Sequence, residues 1–91
     1  MDTAAVLTLA ASGIISAQPG HFIGAALAAG ADAATMILYD NASAATGTVI
    51  CKLSAELTGG ANFAPGTQIY VKNGIYAALT GTAPLGTVVF K

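Results

Sequence analysis

The clearest alternation of apolar and polar positions lies between residues 35 and 53, and it predicts two strands joined by a turn. The first arm, residues 35–39 (Thr-Met-Ile-Leu-Tyr), is rich in strand-favouring residues and too short for a helix. Asp40 and Asn41 interrupt it, because their side chains bond to nearby backbone groups and stabilise turns. The second arm, residues 49–54, alternates with a period of two, which is typical of a half-buried strand. Its predicted inner face holds Val49, Cys51 and Leu53.

The N-terminal part of the chain predicts one more strand. Residues 5–12 alternate with the same period of two. Gly13 interrupts the alternation, and residues 14–17 continue the strand beyond a bulge at this glycine. Pro19 and Gly20 then indicate a turn.

The C-terminal part predicts a hairpin and a closing strand. Residues 67–72 and 75–80 flank Asn73-Gly74, which strongly favours a type I′ hairpin turn, because both central residues of that turn need a positive φ. Residues 86–91 form the closing strand. Glycine, proline and small polar residues predict loops at residues 58–66 and 81–85.

Residues 21–34 are compatible with a helix or a strand. The alanines favour a helix, but Gly24 and Gly30 oppose it, because each glycine costs about 1 kcal/mol in a helix relative to alanine. The surrounding strands favour the strand, which would place His21, Ile23, Ala25 and Leu27 on one face. This strand is expected to end near Ala29.

The regular series of short strands and turns predicts an all-β protein. Seven or eight strands at this spacing indicate an antiparallel β-sandwich or a jelly-roll-like barrel. No segment predicts a crossover helix, so a parallel sheet is not expected. The 91 residues are expected to form a single β-sandwich domain, residues 1–91.

Charge is scarce in this sequence. Charged residues make up 8% of the chain, against about 25% in ordinary soluble domains, and arginine is absent. The formal net charge of −1 offers no field that would attract nucleic acid or anionic lipid. Gly24, Gly30 and Asp32 interrupt the most apolar stretch before it reaches the ~18 residues of a membrane span. We therefore expect no direct nucleic-acid partner and no membrane partner.

The N-terminal residues and the single cysteine indicate the cellular compartment. The N-terminal residues lack the basic region of a signal peptide and carry Asp2 instead, so secretion is not expected. One cysteine cannot form an internal disulfide, which fits a reducing cytosol.

His21 and Cys51 are the pair with which the sequence can build a thiolate–imidazole dyad. The competing interpretation is stronger: Cys51 is a small core residue, and His21 follows a turn near the surface. A zinc site is not expected from one histidine, one cysteine and four scattered carboxylates. Asp32 and Asp40 lack the spacing of a calcium loop, and Asp40 is better explained as a turn residue.

Three further motifs do not indicate a functional site. Residues 81–86 have the outer glycines of a phosphate loop but lack the lysine that follows them. The triplet at Asn41 matches the glycosylation pattern, a common coincidence. The tyrosines lie on predicted strands without basic neighbours, so sheet packing is favoured over base stacking; they are Tyr39, Tyr70 and Tyr76. The sequence predicts no enzyme, no catalytic or metal-binding residues and no cofactor.

Few residues are available to protect the edges of such a sheet protein. Natural sheets protect edges with lysine, proline and inward-pointing charges. Here the strands offer Lys52, Lys72 and the terminal Lys91. We therefore expect an obligate homo-oligomer or a component of a larger assembly.

Several stretches resemble small virion proteins of tailed bacteriophages. They are residues 39–45 (Tyr-Asp-Asn-Ala-Ser-Ala-Ala) with 47–50 (Gly-Thr-Val-Ile), residues 73–76 (Asn-Gly-Ile-Tyr) running into 79–82 (Leu-Thr-Gly-Thr), and the opening stretches 11–17 and 19–24. The resemblance covers most of the chain and rests on turn and strand signatures. The chain departs from it in the alanine-rich stretch 25–34, where related sequences are more strand-like.

The resemblance implies a β-sandwich structural component without catalytic residues. It suggests a capsid decoration (cement) protein that stabilises the phage head, made in the host cytoplasm and located on the capsid surface. The implied partners are the major capsid protein or other virion proteins, and further copies of this chain, with a trimer expected from the three-fold positions that decoration proteins usually occupy. The alternative is a neck, tail or fibre-base component, or another module that binds a host or partner surface.

Overall fold

The computed structural model describes residues 5–56 and 59–91, and this part of the chain forms nine strands and no helix. The strands are β1 (Ala5–Leu9), β2 (Gly13–Ser16), β3 (Gly20–Ala28), β4 (Ala34–Tyr39), β5 (Val49–Ala55), β6 (Gly60–Phe63), β7 (Ile69–Val71), β8 (Ile75–Thr80) and β9 (Leu85–Phe90). The prediction of an all-β chain is confirmed.

The strands form two antiparallel sheets that pack together as a β-sandwich. Sheet 1 has the order β1-β9-β3-β6, and β7 pairs with β3 on the same edge as β6. Sheet 2 has the order β2-β8-β4-β5. If β6 and β7 are counted as one interrupted strand, each sheet has four strands, and the chain crosses between the sheets in the order of a jelly roll.

The core lies between the two sheets. Every second residue of β4 faces inward, and Met36 and Leu38 are fully buried there. Sheet 1 contributes Phe22, Leu27 and Val88 from the opposite side. Alanine fills much of the remaining space, so the large side chains of this thin core are few.

The central segment forms the predicted pair of strands. β4 and β5 pair antiparallel from Ala34↔Ala55 to Tyr39↔Val49. The register shifts between Leu38 and Tyr39, because β5 has one extra residue there. Val49 therefore turns to the outer surface and is 51% exposed, and its predicted place beside Cys51 and Leu53 on the inner face is wrong.

Strand β3 confirms the strand prediction for the alanine-rich segment and corrects its faces. The strand ends at Ala28, close to the predicted end. A register shift between Phe22 and Gly24 places Phe22 in the core together with Ala25 and Leu27. His21 and Ile23 are therefore not on the inner face, because a bulge exchanges the two faces of a strand.

The N-terminal segment forms two strands in different sheets. β1 ends at Leu9 and pairs with β9 in sheet 1, whereas β2 pairs with β8 in sheet 2. The predicted continuation of one strand past Gly13 is wrong. Residues 10–12 form the corner between the sheets, and a local alternation cannot show that the chain changes sheets.

The predicted hairpin at Asn73-Gly74 is wrong, although the strands on both sides exist. β7 pairs with β3 in sheet 1, and β8 pairs with β2 and β4 in sheet 2, so the two strands are not partners. Gly74 has a φ of 145°, but Asn73 does not have the positive φ that a type I′ turn requires. The dipeptide is the corner at which the chain crosses between the sheets.

The predicted loop at residues 58–66 contains strand β6. Its residues pair with the C-terminal half of β3, from Ala25↔Phe63 to Ala28↔Gly60. The composition of β6 (Gly-Ala-Asn-Phe) favours a loop, and the strand exists because the edge of β3 offers it a ladder of backbone partners. β8 matches its prediction at both ends, and β9 begins one residue earlier than predicted.

Candidate protein-binding surfaces

His21 and Cys51 lie in different sheets and do not form a dyad. His21 lies beside the buried Phe22 on β3, so its side chain is on the outer face of sheet 1. There its ring meets Tyr70 edge-on, with a centroid distance of 5.6 Å. Cys51 packs against the core from β5 of sheet 2. The thiol and the imidazole therefore face different environments.

The environment of Cys51 also makes it a poor nucleophile. Burial raises the pKa of the Cys51 thiol from 9.0 to about 11. The reactive species of a cysteine is the thiolate, and this thiol stays protonated at neutral pH. Cys51 acts as a small half-buried apolar residue, as the sequence suggests.

Asp40 is a structural residue at the corner between the sheets. Its carboxylate accepts hydrogen bonds from the backbone N–H of Asn73 at 2.9 Å and of Lys72 at 3.3 Å. The Asn73 amide returns a bond to the Asp40 carbonyl oxygen at 3.3 Å. Asp40 thus ties the end of β4 to the chain crossing that leads into β8, which agrees with its prediction as a turn residue.

Asn41 holds the loop that follows Asp40. Its side-chain oxygen accepts the backbone N–H groups of Ser43 and Ala44 at 2.8 and 2.9 Å, and its amide donates to Thr46. The side chain of the glycosylation-like triplet is therefore engaged in an internal turn. This contact explains the residue without a modification.

The remaining polar candidates are separated in space. Asp32 accepts a hydrogen bond of 2.6 Å from the Thr82 hydroxyl at one end of the sandwich, whereas Asp40 lies at the other end. Within residues 5–56 and 59–91, no group of three or more His, Cys, Asp or Glu side chains is placed to hold a metal ion. The glycine-bounded segment 81–86 contains the corner between β8 and β9 and the first two residues of β9. A hydrogen bond from the Ala31 N–H to the Thr82 carbonyl holds this corner.

The outer face of sheet 1 is an uncharged surface. In the residues that the structure describes, none of its five strands contains Asp, Glu, Lys or Arg. Three large apolar or aromatic side chains stand out from it: Val6 is 64% exposed, Tyr70 61% and Leu85 49%. Exposed alanines Ala26 and Ala28 lie on β3, one of the two inner strands of the sheet. The face is thus uncharged but mixed: small side chains lie on β3, apolar ones at Val6 and Leu85, and polar ones at Thr8, Thr87 and Asn62, which align with Ala26.

The outer face of sheet 2 carries a row of apolar side chains that spans all four strands. Strand pairing aligns Ile14 with Tyr76, Tyr76 with Tyr39, and Tyr39 with Val49. We call these four residues the cross-sheet row. Both ends of the row are half exposed, Ile14 at 50% and Val49 at 51%. Tyrosine is enriched in protein interfaces, so the row has the composition of a binding surface.

The open edges of the sheets differ in their protection. β5 carries Lys52, β2 is only four residues long and irregular in register, and the line of β6 and β7 is broken around Pro65. Each of these features hinders pairing with another chain. β1 has none of them within Ala5–Leu9, and its Leu7 is 36% exposed. The other two lysines follow β7 and β9, so the expected edge protection by Lys72 and Lys91 is not found.

Comparison with known proteins gives no relative. No protein-family model matches the chain, and neither a curated protein nor a solved structure is significantly similar to it. A search of residues 5–56 and 59–91 finds no helix long and apolar enough to cross a membrane.

Sequence reasoning did not find either surface. The shortage of charge is visible in the sequence, but the cross-sheet row joins residues from four separate strands. Its alignment depends on strand order and on the bulge that turns Val49 outward. The misplaced Val49 shows why the sequence alone could not assemble the row.

Proposed function

We propose that this protein is a non-enzymatic structural protein of a virion, a capsid decoration protein that stabilises the head of a tailed bacteriophage. It works on the outer surface of the capsid after synthesis in the host cytoplasm. Its partners are the major capsid protein or other virion proteins, and further copies of itself.

One observation carries the proposal: the nine strands found in residues 5–56 and 59–91 contain a single charged side chain, that of Lys52. A free sandwich of this size would expose charged residues on both faces, because such residues make up about 25% of an ordinary domain. Large uncharged faces are typical of surfaces that other proteins cover. A sandwich with one uncharged face, and with Lys52 as the one strand charge described on the other, suits a component held between neighbours in an assembly.

Two further features support this proposal. The jelly-roll strand order is common among viral capsid domains, though lectins share it and a fold alone does not define a function. The resemblance of residues 39–45 with 47–50, and of residues 73–76 running into 79–82, to small phage virion proteins supplies the specific setting. The resemblance favours a trimer.

The proposed mechanism is stabilisation by preferential binding. A protein that binds the assembled shell, but not the dissociated subunits, stabilises the shell by mass action. We expect the cross-sheet row to make this contact, because it presents exposed apolar atoms across the full width of sheet 2. Binding should depend weakly on salt, since few charges are available to be screened.

The decisive experiment is a comparison of particles with and without this protein. Deleting or stripping it should lower the temperature at which the particles release DNA, and quantitative mass spectrometry should find hundreds of copies in each intact particle. Particles that carry no copies on the capsid, or lose no heat resistance without the protein, would contradict the cement function.

A matched pair of variants tests the contact surface. Val49→Lys places a charge in the cross-sheet row, and Ala45→Lys places the same charge on the exposed loop that precedes it. We expect Val49→Lys to lower shell occupancy at equal protein concentration and Ala45→Lys to leave it unchanged. Equal occupancy of the two variants would exclude the row as the contact.

The alternative function is a neck, tail or fibre-base component, or another module that binds a host or partner protein. The two tyrosines at the centre of the cross-sheet row favour recognition of a protein surface in this case as well. Copy number separates the two functions, because a neck or tail component is present in few copies per particle.

A further inference from the structure

The outer face of sheet 1 offers a surface on which two copies of this chain can pack. We propose that it is the self-association surface of the protein, and that two copies meet there about a twofold axis with their sandwiches running in opposite directions. This inference rests on the self-association included in the proposed function, and it assigns the surface and the symmetry.

The size of the face suits a weak, concentration-dependent contact. Four strand positions at about 4.8 Å and the nine residues of β3 at about 3.3 Å each give a sheet of roughly 19 by 30 Å, an area of about 570 Å². Stable interfaces of standard size bury about 800 Å² on each partner, and smaller ones belong to weak or transient pairs. One edge strand such as β1 would be too small even for a weak contact, whereas the whole face is large enough for reversible pairing.

The shape of the face allows close approach. Ala26 and Ala28 are exposed on β3, one of the two inner strands, and Ala28 pairs with Gly60 on one side. Small side chains permit a second sheet to pack at the usual spacing of about 10 Å. Leu85 on β9, directly opposite Ala28, and Val6 on the edge strand β1 provide exposed apolar area on the same face.

The absence of charge from the five strands of sheet 1 favours the same face of a second copy as the binding partner. When one uncharged face covers another, no charge is buried without a partner, and such a charge would be costly. The cross-sheet row lies on sheet 2 and remains available to other proteins.

The charges at the two ends of the sandwich set the direction. Asp32 and Glu56 lie in the loops that follow β3 and β5, at one end. Lys72 and Lys91 follow β7 and β9, at the opposite end, where Asp40 offsets one of them. A twofold axis perpendicular to the strands brings the acidic end of each copy beside the lysines of the other. Such complementarity fixes orientation more than it adds affinity.

A symmetric contact through one face closes after two copies, so it predicts a dimer. Analytical ultracentrifugation over a concentration series should show a monomer–dimer equilibrium of the purified protein. A protein that stays monomeric, or that forms a trimer, would overturn the pairing. Neither result changes what is expected for DNA release on heating or for the copy number in particles. The proposed function and the proposed dimer can therefore fail separately.

Matched lysine variants locate the contact. Ala26→Lys places a charge at the centre of the sheet 1 face, and Ser54→Lys places one at an exposed position on β5 of sheet 2. We expect Ala26→Lys to weaken dimerisation at least about tenfold, because a lysine would be buried without a partner, and Ser54→Lys to leave it unchanged. Thermal unfolding confirms that both variants fold. A dimer that tolerates Ala26→Lys would exclude this face.

A charge-swapped variant tests the direction. It carries Asp32→Lys and Glu56→Lys together with Lys72→Glu and Lys91→Glu, so the charges of the two ends are exchanged. In the antiparallel arrangement this variant should dimerise with itself as the original chain does. A mixture of the variant and the original chain should form fewer heterodimers than homodimers at low salt, because like charges then meet at both ends. Heterodimers that form as readily as the homodimers would overturn the antiparallel arrangement.

Discussion

Gly86 of sheet 1 lies so close to Met36 of sheet 2 that a side-chain carbon at Gly86 would be 2.7 Å from the Met36 sulfur. The same carbon would lie 3.3 Å from the Leu79 side chain. The missing side chain at this inward position therefore lets the two sheets close over the fully buried Met36.

This contact predicts that Gly86→Val overpacks the core. The free energy of unfolding should fall by about 1–3 kcal/mol, the usual cost of inserting atoms into a filled interior. Denaturant titration measures the change, and Thr87→Val, which alters the next residue on the outer face, serves as the control. If both variants are as stable as the original chain, Met36 can move aside without cost, and the overpacking prediction is wrong.

Gly74 should tolerate substitution least among the glycines with a positive φ. Its φ is 145°, and a side-chain carbon there would collide with the Ser16 carbonyl oxygen. Gly74→Ala should lower the free energy of unfolding by more than about 2 kcal/mol, because backbone strain and a backbone clash add together.

Gly66 provides the matched control for Gly74. Its φ is 84°, but nothing lies within 4 Å of the added carbon. Gly66→Ala should therefore cost only the strain, about 1 kcal/mol. Equal losses for the two variants would show that the contact with Ser16 contributes nothing.

The bonds from Asp40 to the sheet-crossing corner predict a stabilising role. Asp40→Ala leaves the N–H groups of Lys72 and Asn73 without their carboxylate, and hydrogen bonds to a charged group contribute about 1.5–3 kcal/mol. We expect a loss at the low end of that range, because the site is in contact with water. Amide exchange at Asn73 should accelerate in the same variant.

Asp32→Ala is the control for Asp40, because it changes the net charge equally. Asp32 bonds only to the exposed Thr82 hydroxyl in the described structure, so this variant should lose much less stability. The structural role of Asp40 is refuted if the two variants unfold at the same denaturant concentration.

The raised pKa of Cys51 predicts a loss of stability at alkaline pH. The folded thiol titrates near pH 11 and the unfolded thiol near pH 9.0, so above pH 9 the unfolded state releases its proton first. The unfolded state then binds fewer protons than the folded state, and the free energy of unfolding falls as the pH rises from 9 to 11. Because the thiol is only half buried, solvent screening reduces the expected loss to about 1 kcal/mol.

Cys51→Ala isolates this effect, because it removes the thiol alone. The variant should cost little at pH 7 and should have a flatter stability profile above pH 9. Cys51→Asp should be severely destabilising, because it places a carboxylate against the core. Rapid reaction of the native protein with a thiol reagent at pH 7 would contradict the protected thiol.

The strands themselves are largely determined by local sequence. The central pair, the alanine-rich strand and the closing strand follow from alternation, from β-branched residues and from breakers such as Asp40. These signals act between near neighbours, so they are present in any window of six to ten residues. The exclusion of a His21–Cys51 dyad and the turn role of Asp40 were also accessible from residue types and positions.

Tertiary structure decided which strands pair and which side chains face outward. Asn73-Gly74 carries the sequence of a hairpin turn and yet forms a corner, because β7 finds its partner in β3 and β8 finds its partners in β2 and β4. β6 is a strand only because β3 offers it an edge, and the bulges beside Tyr39 and Phe22 turn Val49 outward and Phe22 inward. Backbone pairing across the sheet joins residues that are far apart in sequence. A short local pattern of side chains therefore does not show which strands will pair.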